Sequence, residues 1–131
     1  MGDRKVAVFV DDDPDFLELI PKVIHHPSYE IRTRHALNGY RIIDEIIKIK
    51  PDVLFIDFYL PRANGSQIFS ILKAVQTLAH LPIYFITGHS EPEVLPFLKG
   101  LDYDGIIFKS DALGDAVMRV LDRLDQVNLE N

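Results

Sequence analysis

The side chains with which this chain could do chemistry are Asp11, Asp12 and Asp13 in a row, then Asp57, Thr87 and Lys109. They follow short apolar runs: Val6 to Val10 before the three acids, Val53 to Ile56 before Asp57, Ile83 to Ile86 before Thr87, and Ile106 to Phe108 before Lys109. A buried strand has no structural use for a carboxylate at its mouth, although Asp57 could simply cap the following loop. Carboxylates gathered about 4–5 Å apart repel by roughly 3–4 kcal/mol per pair at an effective dielectric near 20. They need a cation. Oxygen ligands without His or Cys select a hard ion, and Mg2+ fits best because it takes one or two carboxylates together with phosphate oxygens. A carboxylate can itself attack phosphorus when metal and lysine neutralise the transferring group, and Asp57 is the candidate nucleophile. Lys109 could grip a carboxylate or a phosphoryl oxygen, and the Thr87 hydroxyl could follow that oxygen and move its loop.

The elements that must position these groups alternate along the chain. Val6 to Val10 and Val53 to Ile56 are continuous apolar runs suited to central parallel strands, and Pro82 to Ile86 and Gly105 to Phe108 add two more. Tyr29 to Ala36 alternates weakly, with Arg32 and Arg34 making a charged face, which predicts an edge strand. Between them lie helical stripes. Asp13 with Pro14 predicts a helix start, with Phe16, Leu17, Ile20, Val23 and Ile24 inward and a bend at Pro21. Ile42, Ile43, Ile46 and Ile47 mark the second helix, and Ile68, Ile71, Leu72, Val75 and Leu78 a third, capped by Ser66 and ending near His80. Ser90 and Glu93 form a capping-box pattern for a fourth, interrupted by Pro96. Asp111 caps a fifth with Leu113, Val117, Val120, Leu121 and Leu124 inward, and Gln126 to Asn131 reads as a fraying tail. Strand and helix repeated five times predict an α/β fold, a doubly wound five-stranded parallel sheet with helices on both faces. Ligands of such sheets gather beyond the carboxyl ends of the strands, where Asp11, Asp12, Asp57, Thr87 and Lys109 all fall.

With 131 residues the chain has the size of one domain, expected to span 1–131 with a core over about 5–125. A net charge of −6 argues against direct nucleic-acid binding, which needs a basic face. Without cysteine there is no disulfide framework, and no signal-peptide core or run of about 20 apolar residues is present, so neither export nor a membrane span is expected. The expected location is the cytoplasm.

Taken together, Val-Asp-Asp-Asp-Pro at 10–14, Ile-Asp-Phe-Tyr-Leu-Pro at 56–61 with Gly65, Ile-Thr-Gly at 86–88 and Lys109 make the chain resemble a response-regulator receiver domain of two-component signalling. The matches span Val6 to about Leu124. The resemblance implies a CheY-like sheet of flavodoxin-like order 2-1-3-4-5, with Asp57 as phosphoacceptor and Asp12 as a direct Mg2+ ligand. It further implies Asp11 as a water-mediated support, the Phe58 backbone carbonyl as another ligand, and Thr87 with Lys109 as the pair that senses the phosphoryl group. The implied partners are a histidine kinase or phosphotransfer protein upstream, and a protein partner or second copy on the face of the fourth helix, last strand and fifth helix. Tyr59 and His89, each two residues beyond a site residue, occupy positions that in receivers tune phosphoryl loss.

Two positions depart from the family. Ser110 follows the lysine where proline in a cis bond is usual, and Ile106 stands where receivers commonly place the Tyr or Phe that swings inward. They leave room for a receiver-shaped binding module independent of phosphorylation. A phosphatase of the haloacid-dehalogenase type, attacking through Asp11 with Asp13 as acid–base, is a further alternative, but it leaves Asp57 unexplained and the chain has no room for a cap.

Overall fold

The computed structural model describes residues 4–110 and 112–130. Five strands, β1 (Lys5–Asp11), β2 (Tyr29–His35), β3 (Val53–Asp57), β4 (Ile83–Thr87) and β5 (Gly105–Phe108), form one parallel sheet in the order β2-β1-β3-β4-β5. This is the flavodoxin-like pattern, with β2 at the edge as its charged alternation requires. Five helices cover it: α1 (Pro14–Val23), α2 (Gly39–Ile49), α3 (Gly65–Ala74), α4 (Glu91–Leu98) and α5 (Leu113–Glu130). Among the described residues no helix is long and apolar enough to cross a membrane.

Because side chains alternate along a strand, each central strand feeds two cores. Val8, Val10, Leu54, Ile56, Ile83 and Phe85 pack with Ile42, Ile46, Ile68, Leu72, Val94 and Leu98 under α2, α3 and α4. Ala7, Phe9, Val53, Phe55, Tyr84, Ile86 and Ile107 pack with Leu17, Ile20, Val117 and Leu121 under α1 and α5. Carried on to the strand ends, the same alternation puts Asp11, Asp57 and Lys109 on the α1/α5 side and Thr87 on the other.

Helix starts follow short polar side chains in extended backbone. Asp13 accepts the Asp15 N–H at 3.0 Å with Pro14 opening α1, and Asn38 accepts the Tyr40 N–H at 3.0 Å before α2. For α3 the cap is Asn64, not Ser66: Asn64 and Gln67 form a reciprocal capping box, because the hairpin Tyr59–Leu60 with Ala63–Asn64 delivers Asn64 in extended geometry. The α-helical part of α3 stops at Ala74 and a 3-10 turn, Gln76–Leu78, finishes the segment. Ser90 does not cap α4 with its side chain; its hydroxyl donates to Glu93 Oε1 at 2.8 Å instead. Asp111, the expected cap of α5, lies outside the described residues. Rather than fraying from Gln126, α5 continues to Glu130, and Asp122 and Asp125 are bonded to His26 and Lys5 across the base of the sheet at 2.8 and 3.1 Å.

The turn from β3 into α3 requires glycine at 65. A Cβ there would lie 2.7 Å from Phe85 Cε1 and 2.8 Å from Phe58 Cδ2, both in buried rings. Gly65→Ala is therefore expected to destabilise the fold by about 1–3 kcal/mol through overpacking, measured by denaturant unfolding with the slope unchanged.

Candidate functional site

Asp11 ends β1 almost completely buried, 1% exposed, and its two oxygens have different duties. Oδ1 accepts the Asp13 N–H at 2.9 Å, bending the chain into α1. Oδ2 is buried without a directional hydrogen bond and faces the Lys109 ammonium at 2.8 Å as an ion pair. Asp57 ends β3, also buried; its Oδ1 accepts the Tyr59 N–H at 3.3 Å and its Oδ2 lies 3.7 Å from the same ammonium. Asp12 is exposed beside them. One oxygen from each of Asp11, Asp12 and Asp57 falls within 4.8 Å of the others.

Three carboxylates this close repel by about 3 kcal/mol per pair, and the proton affinities of Asp57 and Asp12 register it. Burial, then the Asp11 charge, pushes the Asp57 carboxyl up to about 7, against the partial relief from Lys109. The Asp12 carboxyl is raised for the same reasons, burial first and Asp11 next. Burial works to lower the Lys109 ammonium but is outweighed by Asp11 and Asp57, so its pKa is raised and it stays charged. The residues fit a hard divalent cation: the donors are all oxygen, they are mutually repelling, and two of the three carboxylates are buried.

The remaining sequence-predicted residues are placed as follows. The Phe58 carbonyl accepts the Gly65 N–H, which leaves it one lone pair, and the Phe58 N–H donates to the Ile86 carbonyl at 3.3 Å. Thr87 is wholly buried; its carbonyl accepts the Lys109 N–H at 2.8 Å, tying the two strand ends. Its hydroxyl accepts the His89 N–H at 3.1 Å, on the opposite side of the sheet from the carboxylates. The Tyr59 and His89 rings are in contact, centroids 4.2 Å apart and tilted by 56°, and His89 Nδ1 lies 3.0 Å from Glu93 Oε2. Asp13 is exposed and committed to capping α1. Ile106 is half-buried against the α2/α3/α4 core, as are Tyr103 and Phe108. No cis peptide occurs among the described residues, so Lys109–Ser110 is trans.

One neighbour of the site escaped the sequence reading. The Lys109 ammonium sits 4.2 Å from the centre of the Phe16 ring. Helical periodicity marks Phe16 only as apolar and inward, and no local signal pairs it with a lysine at the far end of the chain.

Residues 7–120 match the family model of the response regulator receiver domain. The polar-differentiation response regulator DivK of Brucella anthropi is 31% identical over 85 residues, 64% of this chain and 67% of that protein. The protein-glutamate methylesterase/protein-glutamine glutaminase of Pyrococcus abyssi is 28% identical over 106 residues, which are 80% of this chain but only 28% of that longer protein. Among solved structures, a CheY-like response regulator receiver domain protein from Methanospirillum hungatei superposes with a TM-score of 0.79 at 19% identity over 98% of this chain and 100% of that one. That likeness concerns the fold, while the family match spans residues 7–120. The chain belongs to the response regulator receiver domain family.

Proposed function

We propose that this receiver domain, one module with its core over about 5–125, takes a phosphoryl group on Asp57 from a histidine kinase or phosphotransfer protein in the cytoplasm. The observation that carries the reading is the convergence of Asp11, Asp12 and Asp57 within 4.8 Å around a lysine that pairs with two of them. Asp57 Oδ2 attacks phosphorus, the P–N bond of the donor phosphohistidine breaks, and the imidazole keeps the electron pair. Asp12, Asp57 and the Phe58 carbonyl would hold Mg2+, with Asp11 supporting through water. The ion supplies charge neutralisation on the transferring oxygens. Lys109 exchanges its contact with Asp57 for a phosphoryl oxygen, and Thr87 turns its hydroxyl from His89 toward the same group.

That rotation gives the signal a route that does not need an aromatic at 106. Losing the Thr87 to His89 bond frees the loop that His89 anchors to Glu93 at the start of α4. The face of α4, β5 and α5 then changes its affinity for a protein partner or a second copy. The commitment of Asp13 to the α1 cap speaks against the phosphatase alternative.

The test is incubation with acetyl phosphate with and without magnesium, followed by intact mass. One phosphoryl equivalent, labile at alkaline pH and absent with chelator, is expected. Continuous phosphate release without a stoichiometric adduct would favour the phosphatase, and no adduct at all the binding module.

The Tyr59 and His89 rings, 4.2 Å apart, stand two residues beyond Asp57 and Thr87, and the bulk of Tyr59 is expected to keep water from the acyl phosphate. Tyr59→Ala should shorten the lifetime of the phosphorylated protein severalfold, followed as decay after removal of the donor; an unchanged lifetime removes the shielding role.

A further inference from the structure

We propose that Phe16 is a positioning residue for phosphoryl acceptance: its ring face keeps the Lys109 ammonium beside Asp57 when a divalent cation claims Asp11. The proposal rests on Asp57 being the phosphoacceptor. Among the described residues, three groups surround the ammonium: Asp11 Oδ2 at 2.8 Å, Asp57 Oδ2 at 3.7 Å and the Phe16 ring centre at 4.2 Å. Of these, only the ring lies outside the metal-donor set. With a divalent ion held by Asp12 and Asp57 and supported through water by Asp11, the Asp11 charge would be shared and the ammonium repelled, so the closest contact of Lys109 would weaken as the phosphoryl group arrives. The contact with the ring does not weaken in this way. An aromatic face within about 6 Å attracts a cation through its quadrupole, without using an N–H donor that a phosphoryl oxygen needs.

The chemistry of position 16 is constrained from both sides. A carboxylate there would add a fourth negative charge to a cluster that already raises the proton affinity of Asp12 and Asp57. An aliphatic side chain would give apolar contact but no attraction for the charge. Phe16 is also held still: it is half-buried on α1 and packs against the α1/α5 core, the side of the sheet on which Asp11, Asp57 and Lys109 lie. The acidic run at 11–13 and the start of α1 at Pro14 fix the ring one turn beyond the carboxylates.

The test compares wild type, Phe16→Leu and Phe16→Tyr. Two quantities are measured: affinity for beryllium fluoride, a stable phosphoryl mimic, at saturating magnesium, and the ring-current shift of the Lys109 ε-methylene protons by NMR. In the wild type the upfield ring-current shift is expected both without metal and with magnesium alone. Phe16→Leu should lose the shift and bind beryllium fluoride roughly five- to tenfold more weakly, whereas Phe16→Tyr, which keeps the ring, should stay within about twofold. Equal affinity in Phe16→Leu and wild type overturns the proposal, as does Phe16→Tyr binding as weakly as Phe16→Leu. The wild-type shift is a measure independent of how the variants fold, and its disappearance on adding magnesium also overturns it. A wild type that binds no beryllium fluoride fails the acceptor reading itself, and this proposal with it.

Discussion

Asn at position 57 is expected to abolish the acetyl phosphate adduct and, in the metal-free protein, to raise stability at pH 8. The Asp57 carboxyl titrates near 7 in the folded chain, against 3.8 as its ordinary value, chiefly through burial and then through Asp11. Between those values the folded state keeps a proton that the unfolded chain has released. Folding is therefore favoured at the acid end of this window and loses stability as pH rises through it, by about 4 kcal/mol at most. Asparagine has no proton to lose, and its carbonyl can still accept the Tyr59 N–H. At pH 8 in chelator, Asp57→Asn should exceed wild type by about 2–4 kcal/mol, a Tm rise of roughly 6–15 °C for a domain of this size. The difference should shrink to nothing near pH 4. Magnesium should then narrow the gap at pH 8 by stabilising wild type more than the variant. A variant that is no more stable than wild type at pH 8 contradicts the crowded-carboxylate account.

Removing the other sign of charge should act in the opposite direction. Lys109→Met leaves Asp11, 1% exposed, and Asp57 without the ammonium that pairs with both. An uncompensated buried charge costs about 3–5 kcal/mol, reduced here because the lysine side chain is 25% exposed, so a loss of about 2–4 kcal/mol at pH 8 is expected. The loss should be smaller at pH 5, where the Asp57 carboxyl holds its proton. Phosphorylation by acetyl phosphate should slow by roughly 10²–10³-fold, the size of losing one preorganised positive group at a transferring centre. Combining Lys109→Met with Asp57→Asn should restore part of the stability, since the two residues share one charge cluster and their effects do not add. Unfolding in denaturant at two pH values and single-turnover labelling check these outcomes.

The strands and the acidic site were readable because each central strand is a continuous apolar run whose polar terminus has no packing use. Val53 to Ile56 buried on both sides with Asp57 at the end leaves one interpretation of the fold and few of the chemistry. Other features depend on partners distant in sequence. Asp122 and Asp125 look like the polar end of a helix until His26, Lys5 and Ser28 are brought against them, at 2.8, 3.1 and 3.0 Å. Asn64 and Ser66 are both good caps, and the hairpin before α3 decides between them through backbone geometry that no single residue announces. The side of the sheet also matters: alternation puts Thr87 opposite the carboxylates, so its hydroxyl meets His89 in this state. Phe16 is the clearest case of a hidden role, because burying an aromatic ring and covering a cation leave the same mark on helical periodicity.

The central claim is that the Asp57 carboxylate is the atom group that receives phosphorus. Borohydride reduction of the protein after acetyl phosphate and magnesium converts an acyl-phosphorylated aspartate to homoserine, and peptide mass spectrometry then locates it. Homoserine at position 57 alone is the expected result. Homoserine at position 11, or none at 57 in a protein that has gained a phosphoryl group, would contradict the account.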